Sequence, residues 1–245
     1  MASERPESGL LWIPIESNPD VFNEWARKAG LNLAEAHFED VYGLDPEAQL
    51  LALVPQPVKA IVVLFPMTEA IRAISDRDDD RHRAGALYPV DPNVIYIRQT
   101  IGNACGTMAI LHSLLNTDVS LAPNSALAIL KEQCKGGKTP EERAKVLETT
   151  TAFADIHAEA AVSGQSTVPD NLTETGQHYT CFLQAPDPRS PQEMRLLELE
   201  ARRPGVVDRG ASVSLLEDVA KFVKEQYVAQ NPSAKFSMIA LVPLA

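Results

Sequence analysis

The sequence predicts an α+β fold, with helices gathered in the front part of the chain and antiparallel strands towards its end. Two observations support this prediction. Capping signals and helical spacing occupy most of the front part, whereas strand-like apolar runs recur in the later part. In addition, 245 residues with 45% hydrophobic content suffice for one core, and no polar or Pro-rich linker divides residues 1–245. We therefore expect a single domain.

The first elements follow from local signals. Asn18-Pro19 predicts a helix start, with a capping residue and then proline at the first helical position, and Gly30 ends this helix. The apolar, β-branched run Val58–Phe65 predicts a buried strand. Asp76–Arg83 has no apolar period, so we expect it to be exposed, and Val94–Ile97 predicts a second strand.

The middle of the chain is predicted to be mainly helical. The apolar run Ala104–Leu115 is too long for a strand and predicts a buried helix, and Ser125–Cys134 predicts another. Thr139–Glu142 has the pattern of a capping box and opens a further helix. Thr149–Gln177 then loses periodicity, which predicts a long loop of the kind that is usually functional or mobile.

The last part of the chain contains the predicted strands. His178–Gln184 and Met194–Glu200 predict an antiparallel hairpin centred on Arg189. An amphipathic helix is predicted from Ser214 to about Ala229, and Lys235–Val242 predicts a final strand.

Composition excludes several classes of function. The net charge of −11 disfavours nucleic acid as a partner and favours one that presents a basic face. No apolar run of about 18 residues exists, so we expect no membrane span. The polar N-terminus does not resemble a signal peptide, so we expect the cytosol, or also the nucleus. The three cysteines and five histidines show no metal-ligand spacing, and we expect neither a metal nor an organic cofactor.

The most informative segment is Gln99–Thr107, which predicts a strand end, a tight polar turn and a cysteine at the start of an apolar helix. A helix N-terminus stabilises a thiolate, the reactive form of cysteine. Cys105 is therefore the candidate nucleophile, and the Gln99 amide is placed to stabilise an oxyanion. Gly102 and Gly106 would leave room for a substrate backbone.

A purely structural role is the competing interpretation for each cysteine, because buried free cysteines are common in cores. The polar turn and the upstream glutamine favour a catalytic role for Cys105. Cys134 lies at a predicted helix end beside lysines, where we expect exposure, and Cys181 lies in the middle of a predicted strand, where we expect burial.

A cysteine hydrolase requires an imidazole base and a group that orients it. In a hairpin centred on Arg189, cross-strand partners include His178 with Glu200 and Phe182 with Leu196, and such partners share one face. His178 and Glu200 are thus the candidate base and acid. An equally weighted alternative is that His178 is only a residue at the strand edge and Glu200 only a solvated charge. We expect the other histidines to pack in the core or to face polar surroundings: His112 in the core, and His37, His82 and His157 towards water.

These residues resemble one family, the short ubiquitin C-terminal hydrolases, which include isozymes L1 and L3; the isozyme L3-like type is the expected one. The segment Gln-Thr-Ile-x-Asn-Ala-Cys-Gly-Thr at Gln99–Thr107 is highly specific to it. Further similarity covers nearly the whole chain, at Trp12–Pro19, Asp40–Pro46, Val54–Val58, Phe65–Thr68, Leu196–Pro204 and Phe236–Leu241.

The resemblance implies a ubiquitinyl hydrolase in which Cys105 is the nucleophile, His178 the general base and Gln99 the oxyanion residue. The triad aspartate of the family falls at Glu200, and the glycine that follows it falls at Ala201. Both positions depart from the family pattern. Glutamate keeps the charge but adds a methylene, and alanine restricts a backbone position that glycine leaves free.

The resemblance also implies a papain-like fold: a central antiparallel sheet flanked by helices, with a knotted backbone. Residues 155–171 would form a loop that crosses over the active site and restricts the substrate to ubiquitin carrying a small or disordered C-terminal group. We expect a monomer that acts on ubiquitin without a cofactor. Two alternatives stay open: a catalytically weakened module that only binds ubiquitin, and a hydrolase of a ubiquitin-like modifier.

Overall fold

Six strands form one antiparallel sheet in the computed structural model, which describes residues 9–45, 49–167 and 176–244. The order of the strands across the sheet is β1-β6-β2-β3-β4-β5, and every neighbouring pair is antiparallel. The strands are β1 (Ala36–Asp40), β2 (Ala60–Pro66), β3 (Gln177–Asp187), β4 (Ser190–Leu199), β5 (Val207–Ser212) and β6 (Ser237–Pro243).

Seven α-helices accompany this sheet in the described part of the chain. They are α1 (Pro19–Ala29), α2 (Glu69–Arg83), α3 (Cys105–Leu115), α4 (Ala126–Gln133), α5 (Pro140–Thr149), α6 (Thr151–Ala161) and α7 (Leu215–Phe222). Helix α7 continues as a π turn, Val223–Tyr227, and a 3-10 turn, Val228–Gln230. The predicted helix from Ser214 to about Ala229 matches this continuous segment.

The sheet separates two hydrophobic cores. The larger core contains α3, all of whose residues are buried, together with apolar side chains of α1, α4, α5 and α6. The smaller core lies between the sheet and α7 with its π turn. Both faces of the sheet are therefore covered by helices, and the central antiparallel sheet flanked by helices agrees with the predicted α+β class.

Two predicted helix starts are confirmed in atomic detail. The Asn18 side chain accepts a hydrogen bond from the Asp20 amide, and Gly30 ends α1 in the left-handed conformation at φ 119°. At α5, the Thr139 hydroxyl accepts from the Glu142 amide while the Glu142 carboxylate accepts from the Thr139 amide. This reciprocal pair satisfies two amides that a helix start would otherwise leave without partners.

One prediction for residues 76–97 is confirmed for most of its residues, and one is wrong. Asp76–Arg83 is the second half of α2 and is mostly exposed as predicted, but its Asp78 is buried because Arg203 and Arg209 neutralise it. Val94–Ile97 forms no strand and joins no sheet. Side chains of α3 replace a strand neighbour for its backbone: Asn116 bonds both polar groups of Ile95, and His112 accepts from the Ile97 amide.

The long loop predicted over Thr149–Gln177 is also incorrect in its first part, which forms α6. Its apolar residues do recur with helical spacing, and the ring of Phe153 stacks on Trp25 of α1 with centroids 5.8 Å apart. The many alanines and threonines hid this pattern. Within the predicted crossover segment, residues 155–161 are helical and 162–167 follow as turns, while 168–171 lie outside the described residues.

The hairpin exists, but its register differs by two residues from the prediction. Phe182 pairs with Glu198 rather than Leu196, because the turn region contains an irregularity at Pro186 and Asp187 that the symmetric construction ignored. An even shift keeps each side chain on its predicted face. The sequence analysis missed β1 as a strand and missed β5 altogether.

No helix in the described ranges is long and apolar enough to cross a membrane.

Candidate active site

Cys105 is the first residue of α3, and the turn before it explains its position. Asn103 adopts the left-handed conformation at φ 60°, and its side-chain amide donates to the Trp12 carbonyl at 3.1 Å. Gly102 exchanges backbone hydrogen bonds with Leu10 and Trp12. The N-terminal segment thereby holds the turn. Among the described residues no side chain caps α3, so the first amides of this helix, next to Cys105, have no intrahelical acceptor.

Gly106 has a different role from the predicted one. A Cβ at this position would lie 2.7 Å from the Ile15 side chain and 3.2 Å from the Tyr179 ring. The absent side chain thus allows α3 to pack against the N-terminal segment and β3. It does not open space for a substrate.

His178 begins the buried part of β3, opposite Phe65 of β2. The Phe65 ring meets the imidazole edge-on, with ring centroids 5.9 Å apart. Nε2 of His178 lies 2.5 Å from Oε1 of Glu200. Nδ1 is buried and has no hydrogen bond of good geometry among the described residues, so it is the ring nitrogen left to face a thiol.

Glu200 follows the last residue of β4 and is only 4% exposed. Besides His178, its Oε1 accepts a hydrogen bond from the backbone amide of Arg202 at 2.8 Å. Its own carbonyl accepts from the Tyr96 hydroxyl. Ala201, in place of the family glycine, is buried and has no positive φ, so alanine is not strained there.

The three titratable groups change each other's protonation. Burial alone would raise the pKa of the Cys105 thiol, but the hydrogen bond and charge of His178, with the charge of Arg202, lower it below its usual value. Burial would lower the pKa of His178, but the charge of Glu200 raises it. Burial would raise the pKa of Glu200, yet His178 and Arg203 lower it. A thiolate, an imidazolium and a carboxylate are therefore favoured together.

Gln99 lies in the irregular stretch before α3, six residues ahead of Cys105. Its side-chain amide donates to the Ile101 carbonyl at 2.9 Å, and its backbone amide donates to the Ala201 carbonyl at 2.8 Å. These bonds orient the side chain and attach residue 99 to the segment that carries Glu200. Its role as an oxyanion residue stays a prediction.

The other two cysteines are core residues. Cys181 is completely buried, as predicted, and burial raises the pKa of its thiol to about 12. Cys134 is completely buried too, so the expectation of an exposed helix end was wrong. The helix end is covered by Arg143, whose guanidinium donates to the Cys134 carbonyl, and burial raises the pKa of this thiol.

His112 packs in the core as predicted, whereas the expectation for His157 was wrong. His157 is 2% exposed, lies in α6 and bridges Thr107 and the Ile13 carbonyl at 2.8 and 2.7 Å. Burial lowers its pKa to about 4, so the ring is neutral. His37 and His82 are half-buried.

Sequence reasoning missed the charged residues around Glu200: Asp78, Arg202, Arg203 and Arg209. The only available signal was the position of two arginines directly after Glu200. Among the residues that the structure describes, no group of three His, Cys, Asp or Glu side chains is arranged to hold a metal ion.

The site has the arrangement of a cysteine hydrolase. A thiol at an open helix start is followed in series by an imidazole and a buried carboxylate. Comparison with known proteins narrows this class. Residues 12–229 match the family described as ubiquitin carboxyl-terminal hydrolase, family 1. The chain belongs to this family and is a ubiquitinyl hydrolase of the thiol protease class.

Individual relatives agree with this assignment. Ubiquitin carboxyl-terminal hydrolase 3 of Arabidopsis thaliana is 34% identical over 96% of this chain and 95% of its own length. Isozyme L1 of Rattus norvegicus is 31% identical over 95% of this chain and 98% of its own length. The fold resembles the UCH37 catalytic domain of Trichinella spiralis, crystallised with ubiquitin vinyl methyl ester, with a TM-score of 0.68 at 18% identity over 96% of both chains.

The lowered pKa of Cys105 predicts selective alkylation. We expect iodoacetamide to modify Cys105 at neutral pH, with a rate that rises at a lower pH than for a free thiol of pKa about 8.5. In His178→Ala the imidazolium is lost and burial dominates, so the rate should rise only at higher pH. Mass spectrometry of the Cys105 peptide measures both profiles, with Cys105→Ala as the control. Identical profiles for wild type and His178→Ala would disprove the coupling.

Proposed function

We propose that this chain removes groups from the C-terminal glycine of ubiquitin through a thioester on Cys105. The observation that supports the proposal most strongly is the buried His178–Glu200 pair beside a thiol at the open start of α3. Family membership supports the substrate class, and the Trichinella spiralis relative was crystallised with a ubiquitin derivative.

His178 acts as general base and then as general acid. It takes the thiol proton, and the Cys105 sulfur attacks the carbonyl carbon of the terminal glycine. His178 then returns this proton to the leaving amine as the carbon–nitrogen bond breaks. Water, activated by the same imidazole, hydrolyses the thioester and frees the thiol.

The oxyanion that forms in each step is stabilised by two groups. The backbone amide of Cys105 lies at the start of α3, where no intrahelical acceptor uses it. The Gln99 side chain supplies a second donor from its oriented amide. Glu200 keeps the imidazole in one orientation, because its Oε1 accepts a hydrogen bond from Nε2–H and leaves Nδ1 for the thiol.

The crossover segment restricts the leaving group. Its first part, residues 155–161, belongs to α6, and the next turn is held by Glu16, which accepts from the Ser166 amide at 2.6 Å. We infer that the segment lies over the site, where it admits a small or disordered group and excludes a folded one. We further infer that residues 1–245 form a single domain of the isozyme L3-like type, with a papain-like fold and a knotted backbone. We also infer that the protein acts as a monomer, without a cofactor, in the cytosol or nucleus.

A ubiquitin-propargylamide probe tests the nucleophile. We expect covalent labelling of wild type and none of Cys105→Ala, while Cys134→Ser is labelled normally because that thiol is buried away from the site. Non-covalent binding without labelling would favour a ubiquitin-binding module instead. Preferential labelling by the probe of a ubiquitin-like modifier would favour that substrate.

Replacement of Glu200 by glutamine tests the acid. We expect kcat/KM for a fluorogenic ubiquitin C-terminal amide to fall by about 100-fold or more, the order that a positioned base contributes. The alkaline limb of the pH profile should also move to lower pH, because the Glu200 charge raises the pKa of His178. Unchanged turnover would show that Glu200 is not the triad acid.

The size of the leaving group tests the crossover proposal. We expect cleavage of ubiquitin carrying a small amide or a short unstructured peptide, and slow cleavage of ubiquitin fused to a stably folded domain. Partial denaturation of that domain should restore cleavage, since an unfolded chain can pass beneath the segment. Equal rates for the peptide and the folded fusion, measured by gel assay, would contradict the restriction.

A further inference from the structure

The second carboxylate oxygen of Glu200 points to a residue that the mechanism above does not use. Oε1 is occupied by His178 and the Arg202 amide, whereas Oε2 lies 3.6 Å from Nε of Arg203. Arg203 is 2% exposed, and its Nε has no hydrogen bond among the described residues. The buried guanidinium of Arg203 and the buried Oε2 of Glu200 thus face each other, and Nε of Arg203 has no other partner among the described residues.

Arg203 is itself held from the opposite side. Its guanidinium lies 3.1 Å from Oδ2 of Asp78 and donates to the Ser75 hydroxyl at 2.8 Å, both on α2. Its carbonyl and that of Glu200 both lie within hydrogen-bonding distance of the Tyr96 hydroxyl, at 2.7 and 2.8 Å. Side chain and backbone are therefore both restrained, so Arg203 can position a neighbour.

Glutamate at position 200 needs such a neighbour. Its side chain has one more rotatable bond than aspartate, and a carboxylate buried with one free oxygen is unfavourable. The two donors at Oε1 alone leave the carboxylate free to rotate about its last bond. A cation facing Oε2 opposes this rotation and keeps Oε1 directed at the imidazole.

We propose that Arg203 is a positioning residue that holds the Glu200 carboxylate in the orientation that aligns His178. The proposal rests on the proposed function, because it assigns Arg203 an effect on the same Cys105–His178 chemistry. Arg203 touches neither the substrate nor the reacting atoms, so its effect belongs to the turnover step and not to binding of ubiquitin.

A matched control exists in the same buried charge cluster. Arg209 lies 2.7 Å from the same Asp78 oxygen, but its other partner is Glu198, at 2.5 Å, and not Glu200. Arg203→Met and Arg209→Met each remove one buried guanidinium from Asp78. Only the former removes the group that faces Glu200.

The test is steady-state kinetics with the fluorogenic ubiquitin amide on the full chain, below the unfolding temperature of each variant. We expect Arg203→Met to lower kcat about tenfold with little change in KM, the size typical of coupled buried pairs. Arg203→Lys, which keeps the charge, should recover part of the loss, and Arg209→Met should leave kcat within about twofold of wild type. If Arg203→Met does not fold, Arg203→Gln takes its place.

A double-mutant cycle with Glu200→Asp completes the experiment. The shorter aspartate cannot maintain the contact with Arg203, so Arg203→Met should cost less kcat in the Glu200→Asp background than in wild type. Equal losses in both backgrounds, an unchanged kcat in Arg203→Met, or an equal loss in Arg209→Met would overturn the proposal. These outcomes all require an active wild type. Absence of turnover and of Cys105 labelling in wild type would instead refute the proposed function.

Discussion

The buried ion pair between His178 and Glu200 is the interaction on which the rest of the site depends. Burial alone pushes each group of the site towards its neutral form. The charge of Glu200 raises the pKa of His178, and the hydrogen bond and charge of His178 lower the pKa of Cys105. The ionisation of the thiol therefore depends on Glu200 through the imidazole. A buried carboxylate is stable in an interior only where its oxygens have partners. For Glu200 these are the amide of Arg202 and the guanidinium of Arg203, while Nδ1 of His178 is left for the thiol.

The scaffold that brings these groups together combines three distant parts of the chain. Strand β3 carries His178, the end of β4 carries Glu200, and α3 carries Cys105. The N-terminal segment is attached to α3 through the backbone pairing of Gly102 and through His157, which links Thr107 of α3 to the Ile13 carbonyl. It is attached to β3 by the Tyr179 hydroxyl, which donates to the Ile15 carbonyl. Because His157 is neutral, its link adds no charge beside the thiolate. The sheet and the N-terminal segment therefore jointly determine where the helix start lies.

Local signals in the sequence were sufficient for most elements, whereas the roles of the candidate site residues stay predictions. Caps at α1 and α5 and the apolar run of α3 depend on neighbouring residues alone, and those predictions are confirmed. The hairpin register depends on an irregularity at Pro186 that no local pattern specified, yet a two-residue shift kept His178 and Glu200 on one face. The errors at Asp78 and at Cys134 share one cause. Hydropathy treats charged residues as exposed, whereas Arg203, Arg209 and Arg143 neutralise or cover their neighbours in the interior.

Glutamate in place of the family aspartate shows how a departure from a motif is accommodated by residues outside it. The backbone of residue 200 is held by Tyr96, and the carboxylate must still reach the imidazole with a longer side chain. A longer side chain gains conformational freedom, and this freedom must be removed by contacts if the imidazole is to keep one orientation. Asp78 on α2 holds Arg203, and Arg203 faces Glu200, so the orientation of the Glu200 carboxylate is connected to helix α2. A change from aspartate to glutamate at this position is therefore a change in a buried charge cluster, and its effect on turnover depends on the whole cluster.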